Sequence, residues 1–221
     1  MCGRYTIASA RDVLSRFLDR EIPVEIPLPV YNASPGQYLP VVLDAEPGKI
    51  VSALWGIRPW WSDDAPGRLL INARAETVHR KPAFRESFRE RRCLVVADGF
   101  YEWKQTQDGK QPYRVTLTNG EPFTFAGIWM EVDGAVSYLI LTTEPNRVTR
   151  PIHNRMPVML EKQEQVPWLD RGLAAGEVLR LLDPYPENAM KAYPVTRAVN
   201  SSRNEGPELI EPLADPGRHQ P

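Results

Sequence analysis

Proline constrains this chain more than any other residue. Twenty-two of its 221 residues are proline, about twice average usage. Proline has no N–H and breaks helix interiors, so a bundle of long helices is excluded and short elements joined by turns are expected. The apolar residues, 42% of the chain, fall in runs of strand length at 38–43, 50–57, 93–103, 111–117, 122–132 and 137–143. Asn-Gly at 119–120 and Asp-Gly at 133–134 are hairpin turn pairs, and they predict a β-meander. Helices are peripheral. One is expected over 10–19, with Ser9 as its cap and Val13, Phe17 and Leu18 on its apolar face. A second is expected over 81–92, with Pro82 at its first position and Phe84 and Phe88 stacked at i, i+4. A short one should cover 144–155 and end near His153, and two more patches lie in 161–183. Pro23, Pro27 and Pro29 force an extended path, and YNASPG (31–36) reads as a turn. These features describe an α+β fold: a single compact β-rich domain of antiparallel strands with short peripheral helices. The domain spans 1–212, and 213–221 is expected to be a disordered tail.

Charge removes several function classes. Lys and Arg number 27 against 28 Asp and Glu, a net of -1. A strongly basic nucleic-acid binder is excluded, while a local basic groove is not. Cys2 and Cys93 form no CxxC pair, and with three histidines a structural zinc site is not expected. No metal and no cofactor are called for. The N-terminus carries no signal-peptide pattern, and no apolar run approaches the ~18 residues of a membrane span. A soluble, monomeric, cytoplasmic protein with reduced thiols is expected.

Cys2 carries the most chemical information. Once Met1 is removed, it holds an amine and a thiol on adjacent carbons, with reference pKa values of about 7.7–8.0 and 8.5. Such a 1,2-aminothiol condenses with an aldehyde: the amine forms a Schiff base and the thiol then closes a five-membered thiazolidine. Other candidates lie in short polar islands. In NARAET (72–77), Asn72, Arg74 and Glu76 share one face if the strand continues. In DGFYEWK (98–104), Glu102 stands between Tyr101 and Trp103, where aromatic flanks raise a carboxyl pKa and suit it to proton transfer. In IHNRMPVML (152–160), His153 is the side chain able to move protons near neutrality. Alone, each has a structural reading as well: an inert cysteine, an exposed hairpin glutamate, a packed histidine. His79 reads as an exposed helix-entry residue, and Cys93 as core. Basic residues (Arg4, Arg74, Arg80, Lys81, Arg155, Arg197 and Arg203) recur in some of these islands, and Trp60 and Trp61 stand in a Pro/Gly loop. Cations that track phosphates and rings that stack bases suit single-stranded nucleic acid. Solvated arginines of no special role have the same appearance.

MCGRY, YNASPG, LWGIRPWW, NARAET, ADGFYEWK, IHNRMPVML and VNSSRNEGPELI occur here in one order. Together they resemble the SRAP (SOS response-associated peptidase) domain family, over about residues 2–212. The resemblance implies binding of single-stranded DNA and covalent capture of abasic sites as a thiazolidine that shields the lesion. Carried over by motif, it implies Cys2 as nucleophile, Asn72 positioning the cysteine terminus, Glu102 assisting Schiff-base chemistry and His153 assisting sugar ring opening. It also implies phosphate contacts by Arg4, Arg74 and Arg155, with Asn32 and Pro35 near the lesion and Trp60, Trp61 and Trp103 near the strand or pocket. The partner would be abasic single-stranded DNA, with the replication machinery a further candidate and the nucleoid its place when bound. The acidic pair Asp63–Asp64, in a loop longer than short bacterial members carry, departs from a wholly basic groove. Two alternatives stay open: a cysteine peptidase using Cys2, and a non-covalent reader of modified DNA.

Overall fold

The computed structural model describes residues 2–57, 69–132 and 134–214. In chain order the elements are β1 (Tyr5–Ile7), α1 (Arg11–Leu18), β2 (Val30–Ala33), β3 (Tyr38–Leu43), β4 (Val51–Trp55), β5 (Asn72–Arg74), α2 (Ala75–Val78) and α3 (Arg85–Glu90). They continue with β6 (Arg92–Ala97), β7 (Gly99–Thr106), β8 (Gly109–Leu117), β9 (Phe123–Val132), β10 (Ala135–Thr143), β11 (Met156–Pro157) and β12 (Met159–Leu160). The helices α4 (Gln165–Leu169) and α5 (Ala175–Arg180), the strand β13 (Met190–Pro194) and short 3-10 turns over Lys162–Glu164, Glu187–Ala189, Arg197–Asn200 and Pro207–Ile210 follow.

Two sheets share one core. The first runs β13-β8-β7-β1-β2. The second contains β10-β4-β3-β6-β9, and the pairing of β9 with β10 closes it on itself. Closure removes the free edges that open sheets must protect. The expected β-rich α+β architecture is present, but it is not a plain meander. Strand β10 runs parallel to β4 and to β5, which places Asn72 opposite Ile140 and Arg74 opposite Thr142. Strands β9 and β10 form a true hairpin, with Val132 opposite Ala135; Asp133 of the expected turn pair lies outside the described residues. The 119–120 turn makes no hairpin: it carries the chain from β8 in one sheet to β9 in the other.

Local expectations shift for physical reasons. Ser9 does not cap α1; its backbone and hydroxyl both donate to Asp98 Oδ2, a stronger partner than a helix N–H because it is charged. The buried face of α1 is Leu14 and Leu18, while Phe17 is only half-buried. YNASPG is not all turn, since its first three residues are paired in β2. The helix expected over 144–155 is instead a run of turns, with Arg150 and His153 each donating to a carbonyl four residues back. The second helix starts later than expected, at Arg85, although Phe84 and Phe88 are both buried. Cys93 lies in the core, as its sequence context implies. Of the expected tail, Leu213 still donates to Pro194 O at 2.9 Å, and 215–221 lie outside the described residues. Among the described residues, no helix is long and apolar enough to cross a membrane.

Candidate active site

Cys2 enters the core immediately before β1 and is completely buried. Two features hold it there. Asn72 Nδ2 donates to the Cys2 carbonyl at 2.8 Å across 70 residues of sequence, and the Cys2 thiol points at the Arg4 carbonyl at 3.8 Å. That same carbonyl accepts the Tyr101 N–H at 3.0 Å, so β7 fixes the segment from which Cys2 projects. Burial and the neighbouring Glu102 carboxylate both push the Cys2 thiol well above its ordinary value. The thiol is therefore held as S–H.

Glu102 lies on β7 rather than in a turn. Alternation along the strand separates its side chain from its neighbours: Tyr101 and Trp103 join a small apolar cluster with Val195 and Val199. Its own side chain is enclosed, with 2% of the residue exposed. The raised carboxyl pKa expected from the sequence is present, with a different cause. Burial drives it up, and positive charge at the amino terminus and at His153 opposes the rise.

A cavity of about 530 Å³ opens at this point, lined by Gly3, Arg4, Glu102, Trp103, Lys110, His153 and Asn200. Four of the expected site residues, Arg4, Glu102, Trp103 and His153, therefore meet on one surface. The Arg155 N–H donates to His153 Nδ1 at 3.1 Å. Nδ1 also lies 3.3 Å from the Arg155 carbonyl, so which of the two it engages depends on the ring's tautomer.

The NARAET island behaves differently from a continuing strand. Strand β5 stops at Arg74 and α2 begins at Ala75, so Glu76 leaves the Asn72–Arg74 face. It meets Arg155, whose two terminal nitrogens grip its carboxylate at 2.5 and 3.0 Å. That ion pair holds the Glu76 carboxyl below its ordinary range and couples the NARAET and IHNRMP islands. Arg155, with 15% of its side chain exposed, also donates to the Thr142 carbonyl, so most of its fork is occupied. Arg74 is exposed and, among the described residues, has no ion pair. Asn32, expected in a loop, is instead fully buried on β2, whereas Pro35 is half-buried in the following turn. Trp60 and Trp61, with Asp63 and Asp64, lie outside the described residues. His79 is exposed as expected, but at the end of α2 rather than at a helix entry.

Sequence reasoning missed three lining residues. Gly3 and Asn200 stand inside quoted islands but bear no titratable group. Lys110 sits in the β7–β8 hairpin, opposite Gln105, and no local signal marks it. Among the described residues no group of three or more His, Cys, Asp or Glu could hold a metal ion.

Comparison with known proteins follows the same lines. The model of the family described as SOS response associated peptidase (SRAP) matches residues 1–202. The chain is 39% identical over 222 residues to abasic site processing protein YoqW of Bacillus subtilis, covering 96% of this chain and 99% of the relative. It is 30% identical over 226 residues to abasic site processing protein YedK of Escherichia coli, covering 96% and 100%. To abasic site processing protein HMCES of Rattus norvegicus it is 33% identical over 270 residues, covering 96% and 76%. Among solved structures, a Bacteroides thetaiotaomicron protein is similar with a TM-score of 0.81 and 25% identity, over 96% of this chain and all of the other. A phage-related protein from Bordetella bronchiseptica gives 0.74 and 28%, over 89% and 95%.

Proposed function

The chain belongs to the SOS response associated peptidase family, and on that footing we propose that it processes abasic sites in DNA by covalent capture at Cys2. One observation carries the reading. The residue that would become an aminothiol is buried beside a carboxyl whose pKa burial raises, and that carboxyl lines a cavity with an imidazole and a guanidinium.

The reaction begins once Met1 is removed. His153 moves a proton from the C1′ hydroxyl toward O4′ as the abasic deoxyribose opens to its aldehyde. The Cys2 amine adds to that aldehyde carbon. Glu102, held toward its neutral form, gives a proton to the departing hydroxyl, which leaves as water, and takes one back from nitrogen to leave an imine. The Cys2 S–H then adds across C=N, sulfur to carbon and proton to nitrogen, closing the thiazolidine. A thiol kept protonated suits this order, because its proton is the one the ring nitrogen needs. Asn72 orients the terminus through the Cys2 carbonyl. Arg4 and Arg74 supply positive charge toward a single strand, whereas the charge of Arg155 is matched by Glu76, and Trp103 supplies a ring against which a base can stack.

The peptidase alternative draws less support. Cysteine peptidases act through a thiolate paired with a cation, whereas burial and Glu102 both favour the S–H form here. Intact mass spectrometry after incubation with an abasic single strand tests the proposal. The expected species has the summed mass of processed protein and DNA less one water, and it survives heating. Cys2→Ser keeps the amine but should lose the heat-stable adduct. An equal yield of stable adduct from Cys2→Ser would overturn the thiazolidine, and no adduct from the parent would overturn capture itself.

A further inference from the structure

One residue lining the cavity, Asn200, belongs to a segment, residues 197–205, that opens with a 3-10 turn over Arg197–Asn200 and that no sheet holds. Buried polar groups replace the missing ladder. Asn32 is fully buried, and its Nδ2 donates to the carbonyls of Ser201 and Asn204, both at 2.9 Å, and to that of Val199 at 3.4 Å. Its Oδ1 accepts from Arg4 Nη1 at 2.7 Å. Arg4 in turn donates from Nη1 to the Val199 carbonyl at 2.8 Å and from Nη2 to that of Asn200 at 3.3 Å. On the far side of the loop, Trp103 Nε1 donates to Asn200 Oδ1 at 2.7 Å. The Tyr31 N–H at the sheet edge is taken up by the Glu205 carboxylate.

Every donor and acceptor of the Asn32 amide is thus engaged, whereas the Arg4 fork is not exhausted. Arg4 Nε and one N–H of Nη2 make no hydrogen bond among the described residues, and Arg4 lines the cavity. We propose that Asn32 is a positioning residue of this cavity: it locks the Arg4 guanidinium to the 197–205 loop, so that cation and wall are set before a DNA strand arrives. The benefit is preorganisation, since a ligand then bears less of the ordering entropy of the loop. This deepens the reading of the cavity as a DNA site and rests on it for the ligand. It gives Asn32 a task one step from the strand rather than contact with it.

The test uses full-length protein and two readouts. Amide hydrogen exchange without DNA reports local opening of 197–205; Asn32→Ala should raise exchange there at least tenfold, with β9 and β10 unchanged. The second readout is the concentration dependence of adduct formation with an oligothymidylate carrying one abasic site. Hydrogen bonds to charged groups are among the stronger ones, so the half-saturating DNA concentration should rise roughly tenfold. The maximal rate should stay within about twofold, because Cys2, Glu102 and His153 are untouched. In an Arg4→Ala background, Asn32→Ala should add less than it does alone, as coupled residues do. Should Asn32→Ala fail to fold, Arg4→Met leaves the buried amide in place and should still raise exchange in 197–205. Unchanged exchange in the folded variant would overturn the clamp, as would a lost maximal rate at unchanged half-saturation. A parent that forms no adduct would overturn the DNA reading instead, and exchange alone would then decide the clamp.

Discussion

Asp98 and Glu102 lie four residues apart, one at the start of β7 and one within it, and both are almost completely enclosed. Their surroundings differ. Asp98 receives Arg114 Nη2 at 3.1 Å, Thr6 Oγ1 at 2.6 Å and Ser9 Oγ at 2.8 Å. It is a charged group matched by a charge and hydrogen bonds, and it pins β1 to β7 and β8. Glu102 borders a cavity, and burial outweighs its positive neighbours so that the carboxyl is pushed upward. A buried carboxylate that is fully answered serves the fold, and one whose charge is disfavoured is equipped to move protons.

Exchanging the two losses would break the comparison most sharply. Glu102→Gln should slow adduct formation by about 10²–10⁴-fold, the usual range for general acid–base assistance and about 3–5 kcal/mol of barrier, with the melting temperature held or raised. Asp98→Ala should do the reverse. It strands the Arg114 guanidinium, which has 10% side-chain exposure, and removing one partner of a buried pair costs about 3–5 kcal/mol of stability. The rate per folded molecule should hold. Calorimetry beside single-turnover kinetics separates the two, and a Glu102→Gln variant at parental rate would refute the assignment.

Gly99→Ala tests the Asp98 side more gently. A Cβ at Gly99 would stand 2.7 Å from Arg114 Nε and 2.8 Å from Thr6 Oγ1. Overpacking of this kind costs about 1–3 kcal/mol, to be read from denaturant midpoints at constant slope. A neutral substitution would mean that the network has room to give.

The pH dependence of stability sharpens the Glu102 side. Its folded pKa is raised above the ordinary 4.5, so the unfolded chain releases this proton first as pH rises. The associated stability is complete below the unfolded value and is lost as pH climbs through the folded one. Glu102→Gln should flatten the fall in melting temperature from acidic pH upward, and an unchanged profile would contradict the shift. The smallest effect belongs to the cavity's outskirts. Arg74→Ala should lower the slope of log affinity against log salt by up to about 0.7, the value for one single-strand phosphate contact. A parental slope would remove Arg74 from the strand's path.

The strands and their turns were legible because alternation and Gly or Pro punctuation are local. Cys2, Asn72, Glu102 and His153 stood out as candidates by type and by apolar surroundings, and the structure brings Glu102 and His153 to one cavity and ties Asn72 to the Cys2 carbonyl. Pairing was not legible. Nothing near Glu76 announces that Arg155, 79 residues away, will claim its carboxylate. Nothing near Asn32 reveals that its amide will hold a loop some 170 residues further on. The Ser9 cap failed for a related reason, since a distant carboxylate outbid the local helix.

By itself the sequence determined a β-rich fold and marked Cys2 as a candidate for chemistry, because backbone preference and functional-group chemistry belong to the residue. Only the tertiary structure decided that one buried carboxyl is matched by a cation and hydrogen bonds while burial pushes the other's pKa up, and that the thiol rests as S–H. Ionisation inside a protein depends on solvent exclusion and on partners brought together by long-range pairing, and neither is a property of a short stretch of chain.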